Sequence, residues 1–465
     1  MSKTFRPYAL NQRLLLPPDL REWLPEGHLA LFVSDVVDAL DLSAIFQVYE
    51  QGDGRGQPPY DPALLVKLLV YGYCTGKPSS RRIERATYEE VPYRVLAADQ
   101  HPDHASLADF RKRHLAALAN LFVQVLRLCQ AAGLVQLGHV ALDGTKVKAH
   151  ASKHKAMSYG RMEATEQKLE QEVKSLLAQA AAVDGAEDAR YGPDKRGDEL
   201  PAELARRESR LRKIREAQAA LEQDARAQAE VAAAAAQAKL AERQRYEAET
   251  GQKAQGRAPT VPDPTQARPE AKAQRNFTDP DSRIRKDGAS KAFEQAYNAQ
   301  AAVDSQAQII VAAAVTQDAN DKQQLVPMLR AVQDNVGQLP EKASAATGFF
   351  SEANLTAKAV AGVDLYVPPE RQHHTAPGAV APAAAPAEGS VREQMRHKLQ
   401  TPDGQAVYKL RKAIVEPVFG QIKEGRGFRR FSFRGLAQVA AEWTFICLTH
   451  NLLKLFRGRT GLLAV

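Results

Sequence analysis

The sequence predicts a mixed α+β/α/β chain: a helical N-terminal domain, then a mixed-sheet domain interrupted by a helical hairpin. Three observations predict this. Apolar residues recur at helical spacing through residues 1–135. Short β-prone runs begin only near His139 and return near Ala296. Between them lies a long charged helical stretch. A chain of 465 residues suits about three domains. The boundaries read as 1–135 (helical, N-terminal), 136–159 (first part of the sheet domain), 160–285 (hairpin and linker) and 286–465 (remainder of the sheet domain).

In chain order, Asp61-Pro62 is a helix start, with Asp as cap and Pro in the first turn. Leu64, Leu65, Leu68, Leu69 and Tyr71 follow as its apolar face. Ser106 and Asp109 form a capping-box variant, and Gly133 ends the apolar run through Leu107, Phe110, Leu118, Leu121, Val125 and Leu128. His139–Leu142 is a short strand ending at Asp143-Gly144, a place where α/β folds often put chemistry.

The stripes Leu169, Val173, Leu176, Ala180 and Leu204, Leu211, Ile214, Leu221 predict an antiparallel helical pair broken near Gly185, Gly192-Pro193 and Gly197. Residues 250–285 read as a flexible linker. Ala296–Val303 and Ile309–Ala312 form a hairpin around Asp304-Ser305-Gln306. A helix around Asp321–Asn335 and short strands at Lys342–Thr347 and Asp364–Val367 follow. Residues 372–390 are a low-complexity loop, and two helices close the chain, around Gly404–Lys423 and Gly435–Phe456.

Composition narrows the class. Apolar residues make up 44%, enough for a sizeable core, so a disordered or fibrous chain is excluded. No apolar run reaches the roughly 18 residues of a membrane span, and the N-terminus lacks a signal-peptide core. Cys74, Cys129 and Cys447 form no C-x-x-C pair, which points away from a disulfide framework and toward a cytoplasmic setting. The 63 Lys plus Arg against 55 Asp plus Glu leave +8, a mild preference for a polyanionic partner.

A strand ending in Asp143, a hairpin, further strands and a late helix carrying Glu416 are the element order of an RNase H-like fold. Such a fold gathers distant carboxylates around two divalent metals about 4 Å apart. Further motifs follow the same order: Pro102-Asp103-His104 with Ser106–Arg111, Leu142–Lys146, Tyr297–Gln300 with Val303-Asp304, Gly348–Glu352, Val415–Lys423 and Arg426–Phe431. In this order the chain resembles the bacterial insertion-sequence transposases of the DDE type, in the group with an all-α insertion in the catalytic domain.

The resemblance implies DNA transposition: binding of terminal inverted repeats, then metal-dependent strand cleavage and transfer. It implies Mg²⁺ or Mn²⁺ as cofactor, held by Asp143 and Glu416 as catalytic and metal-binding carboxylates. It also implies double-stranded DNA as partner, a homo-oligomer on DNA, no membrane, and a cytoplasmic protein that joins the nucleoid when DNA-bound. Tyr408, Arg411 or Lys412, and Lys423 match the family's Y-x2-R-x3-E-x6-K pattern. Arg411 keeps the spacing to Tyr408, and Lys412 keeps the spacing to Glu416. With Arg426, Arg429 and Arg430 these are the expected DNA-binding residues, and Phe428, Phe431 and Phe433 are candidates for stacking on a flipped base.

One position departs from the pattern. Relatives read Ala-Asp-Ala-Gly-Tyr where this chain reads Ala345-Ala346-Thr347-Gly348-Phe349. The second catalytic Asp is replaced by Ala346, which cannot ligate a metal. That implies impaired cleavage, or a DNA-binding protein without catalysis. Asp304 and Asp318 are the acidic side chains available as substitutes, both outside the matching position. His150 and His154 have an i, i+4 spacing that suits zinc, but Lys146, Lys148, Lys153 and Lys155 crowd them.

Overall fold

The computed structural model describes residues 19–50, 58–191, 202–254, 256–286, 292–318, 320–370 and 390–459. The expected breakers Gly192-Pro193 and Gly197, the side chains of Ala180 and Leu204, and the low-complexity loop up to residue 389 lie outside the described residues. The chain divides into two units. One comprises Met1–Val147, Asn298–Phe431 and Ala437–Val465; the other comprises Lys148–Tyr297 and Ser432–Leu436.

The first unit opens with helices α1 (Leu29–Ala39), α2 (Ser43–Glu50), α3 (Pro62–Cys74), α4 (Ser80–Glu89), α5 (Val91–Leu96) and α6 (His104–Ala131). α3 starts at the expected cap, where Asp61 accepts a hydrogen bond from Ala63 N at 2.7 Å. Its residues are apolar almost all round because α3 is buried almost all round. α6 starts earlier than expected. Asp103, not Ser106, is the cap, and it accepts from both Ala105 N and Ser106 N at 2.9 Å. Among the described helices of eighteen or more residues, α6 is apolar enough to cross a membrane, yet half of its apolar window is buried inside the protein. Leu107, Leu118, Val125 and Leu126 are fully buried on it, so it serves as a core helix.

The sheet follows: β1 (His139–Lys148), then in the second unit β2 (Ala156–Ser158), helices α7 (Tyr159–Tyr191) and α8 (Ala202–Thr250), β3 (Gln274–Asn276) and β4 (Arg283–Lys286). β5 (Phe293–Asp304), β6 (Ile310–Thr316), α9 (Leu325–Val336), β7 (Lys342–Ala345), α10 (Glu352–Leu355), β8 (Asp364–Tyr366), α11 (Val391–Gln400), α12 (Pro402–Gly420) and α13 (Leu436–Arg459) complete the chain. β1 runs six residues beyond Leu142, where the sequence suggested an end.

In the first unit the strand order is β5-β1-β7-β8, with β6 antiparallel on β5 and both β7 and β8 parallel to their neighbours. Ala299, Ala301, Ala302, Val303, Val140, Ala141 and Leu142 are fully buried, which accounts for near-continuous apolar runs in β1 and β5. α13 locks the edge. Asn451 Oδ1 accepts from Ile310 N, and its Nδ2 donates to Ile310 O, both at 2.8 Å. The hairpin turn is as expected: Asp304 Oδ1 accepts from Gln306 N at 2.9 Å.

In the second unit α7 and α8 pack along a narrow seam of Tyr159, Met162, Leu169, Leu211, Ile214, Ala217 and Leu221. Arg207–Glu172 at 2.9 Å and Arg215–Glu166 at 2.7 Å flank it. The stretch expected to be a flexible linker is partly ordered. β3 pairs antiparallel with β2, and β4 pairs antiparallel with Phe293–Ala296 of β5. Polar side chains hid these strands, because their partners satisfy the backbone while their residues supply little apolar area.

Candidate functional site

The site lies at the C-terminal end of the parallel pair β1–β7. Leu142 sits opposite Ala345 in the register, so Asp143 and Ala346 are the next residues on adjacent strands. Ala346, where the resemblance expects a carboxylate, therefore lies beside Asp143 at one sheet end.

Asp143 is about a fifth exposed and meets α12 there. Arg411 Nη1 donates to Asp143 Oδ2 at 2.7 Å, although 268 residues separate the two. Arg411 Nη2 lies 3.9 Å from Glu416 Oε1. Arg411 is buried, while Glu416 is 55% exposed and Lys412 is exposed. Of the two cations the sequence left open, Arg411 is thus the one that faces the carboxylates. Burial pushes the Asp143 carboxyl above its ordinary range, against the opposing pull of Arg411. Tyr408 lies under the guanidinium, its ring centroid 5.7 Å from Arg411 Cζ, and burial raises its hydroxyl pKa.

Lys423 reaches the same strand from a π-helical turn, Gln421–Gly425, that follows Pro417 in α12. Its Nζ donates to Thr145 Oγ1 at 3.1 Å and to Lys146 O at 3.0 Å. π-turns often occur at functional positions because they re-aim a side chain out of helical register. The structure thus brings Asp143, Tyr408, Arg411, Glu416 and Lys423 together.

The other predicted cations divide. Arg429 and Arg430 are exposed, and Arg429 pairs with Glu424. Arg426 departs from its expected role. It is buried, donates to Thr449 Oγ1 at 2.7 Å, and stacks on Phe428. Its guanidinium joins α13 to the α12 turn and does not reach the surface. Phe428 and Phe431 are buried as well, so neither can stack on a base.

The acidic substitutes also resolve. Asp304 is fully buried and accepts from Leu137 N at 2.7 Å, tying the hairpin turn to the segment before β1. Asp318 accepts from Gln324 Nε2 at 2.7 Å, ahead of α9. Sequence reasoning missed a different carboxylate, Asp321. Its Oδ1 accepts from Asn298 Nδ2 and Gln300 Nε2, both at 2.6 Å. The legible signal was Asn298 and Gln300 themselves: two amides at i, i+2 share one face of a strand.

Two family models match the chain. One is described as "Transposase domain (DUF772)" and covers residues 18–113; the other is described as "Transposase DDE domain" and covers residues 382–456. The two matches support an insertion-sequence DDE-type transposase. The second match contains Tyr408, Arg411, Glu416 and Lys423; Asp143, Asp321 and Ala346 fall outside both. No curated protein and no solved structure matches.

DDE transposase domains generally depend on divalent metal. The family's three-carboxylate ligand set does not fit the residues present. Ala346 brings no oxygen, the Arg411 guanidinium faces both Asp143 and Glu416, and no metal-binding group of three His, Cys, Asp or Glu side chains forms among the described residues. His150 and His154 belong to no such group either.

Proposed function

We propose that this transposase binds the terminal inverted repeats of its own insertion element as a homo-oligomer on double-stranded DNA. The scissile phosphates would lie against Asp143, where the β1–β7 pairing ends, and the protein would work in the cytoplasm, at the nucleoid. The observation that carries this reading is the convergence of Asp143 with Arg411, 268 residues later, and with Glu416 beyond it. Arg429, Arg430 and Lys412 are exposed cations on the α12 segment and its continuation, suited to phosphate oxygens. Lys423 and Tyr408 would fix the strand beside Asp143. Strand cleavage and transfer are the chemistry of this class, with Asp143 and Glu416 as its carboxylates.

A second reading, end recognition without cleavage, is favoured by Ala346 and by the Arg411–Asp143 pair. A group acting within a catalytic unit can cost several powers of ten when removed.

The test uses duplexes bearing the element's ends. Affinity should fall steeply with salt, because bound cations release counterions from the phosphates. Arg429→Ala with Arg430→Ala should reduce the slope of log affinity against log salt by roughly two. Equal binding to end and random duplexes at every salt concentration would sink end recognition. Cleavage of end-bearing DNA in Mg²⁺ or Mn²⁺ then separates the two readings.

A further inference from the structure

The α7–α8 hairpin holds a polar cleft of its own, of about 380 Å³. Tyr159, Glu163 and Glu166 of α7 form one wall; Arg215, Gln218 and Glu222 of α8 form the other. Each set recurs every three or four residues, which lines its side chains along one helix face about 5–6 Å apart. The Tyr159 hydroxyl donates to Glu222 Oε1 at 2.7 Å, bridging the two walls. Arg215 donates to Glu166 at 2.7 Å and also pairs with Glu170, so one positive charge is divided between two carboxylates. Glu163 has no ion pair among the described residues. Its charge is felt at Tyr159, whose hydroxyl is pushed up to about 12 by the Glu222 hydrogen bond, by burial and by the Glu222 and Glu163 charges, with Arg268 pulling the other way. Three carboxylates thus face one shared guanidinium, and the cleft is net negative.

A second observation points to a ligand. Gln218 lines the cleft and is only 7% exposed, yet its amide makes no hydrogen bond with any described residue. A buried amide without partners is costly, and such groups are normally satisfied by water or a bound molecule. Around it stand carboxylates, which only accept, so the matching molecule brings N–H donors and positive charge. A single metal ion does not fit. No three His, Cys, Asp or Glu side chains among the described residues are gathered closely enough to hold one. Carboxylates spread along two helix faces suit a cation whose charges are spread as well.

We propose that this cleft binds a linear aliphatic polyamine. One ammonium group pairs with Glu163, others with Glu166 and Glu222, and Gln218 Oε1 accepts an N–H from the same chain. Charge-assisted hydrogen bonds of this kind are about twice as strong as neutral ones. The volume falls within the roughly 300–1,000 Å³ of small-molecule sites. All the lining residues belong to the second unit, so the site does not rest on the transposase reading.

The experiment titrates spermidine into the full-length chain, free of nucleic acid, by calorimetry at fixed ionic strength. One site is expected, and putrescine, with one ammonium group fewer, should bind severalfold more weakly. Glu163→Gln should weaken spermidine binding about tenfold, the scale of one charge-assisted hydrogen bond. Glu230→Gln, an exposed change further along α8, should leave it unaffected. Gln218→Leu is the sharper variant. Replacing an unpartnered buried amide should leave the unfolding midpoint in polyamine-free buffer unchanged or raised. The same change should remove most of the rise in midpoint that spermidine gives the natural chain. Absence of saturable binding, equal losses in Glu163→Gln and Glu230→Gln, or undiminished binding in folded Gln218→Leu overturns the proposal. Self-association that Glu163→Gln abolishes and spermidine leaves intact would give the cleft to a lysine of a second copy, and would overturn it too.

Discussion

The α7–α8 hairpin and the sheet that carries Asp143 use the same helix- and strand-forming rules, yet they bury very different amounts of their chain. The hairpin closes on a single narrow seam centred on Ile214, with ion pairs such as Arg215–Glu166 on its exposed flanks. The sheet unit buries both faces of β1 and β5, with Trp443 among its largest buried side chains. Trp443 Nε1 also donates to the backbone carbonyl of Gln300 at 2.9 Å, so core packing and the candidate site share a residue. The difference teaches where precision comes from. A seam between two helices fixes their register, whereas a side chain held to within a few tenths of an ångström needs packing on all sides.

The comparison breaks first at Trp443. Trp443→Ala should destabilise the sheet unit by about 3–5 kcal/mol, the usual range for deleting a buried aromatic. Urea unfolding should show this. A loss below about 1 kcal/mol would mean that the sheet core is no tighter than the hairpin seam.

Acid should also discriminate between the two. His139 opens β1 and shares a 2.8 Å hydrogen bond with Ser344 Oγ on β7. Burial, helped by the Lys342 charge, pushes its pKa down to about 4. A depressed histidine binds protons more readily unfolded than folded. Its contribution is therefore complete above about pH 6.5 and is lost as the pH falls toward about 4. That loss should approach about 3 kcal/mol, and His139→Gln should flatten the slope of stability against pH in this window. An unchanged slope would exclude His139 as the acid-sensitive group.

Ile214→Ala comes next, at about 2 kcal/mol, the low end for a large-to-small change at a thinly packed site. Hydrogen exchange should quicken mainly between residues 159 and 250 and hardly at β1. Spread of the effect into β5 and β7 amides would show that the two regions unfold together. The smallest effect is expected at Arg215. It is half exposed, and Arg215→Ala should leave the unfolding midpoint within experimental error, as exposed ion pairs usually do.

Much of the fold was legible locally. Asp61-Pro62 capped its helix, the Asp304 turn closed its hairpin, and the leucine stripes marked the α7–α8 seam. Other local signals were present but outweighed. Ser390 and Glu393 form a full capping box that starts α11, next to low-complexity sequence without apolar periodicity. β3 and β4 lacked apolar alternation, so their pairing with β2 and β5 left no periodic trace.

For the candidate site, the sequence by itself determined which residues carry charge and which position lacks it. Glu416 and Lys423 were readable as a spaced pattern, Asp143 as the end of a short strand, and Ala346 as a departure from the motif the resemblance expects. Only the tertiary structure decided which of them meet. Strand register puts Ala346 beside Asp143, and Arg411 rather than Lys412 turns inward from α12. Arg426 is drawn into the core by Thr449, and Asp321 settles over Gly144 and Gly348 between Asn298 and Gln300. The physical reason is the range of the forces. Caps and turns are settled within a few residues, whereas a buried charge takes its place from partners that only sheet pairing and core packing bring within 3 Å.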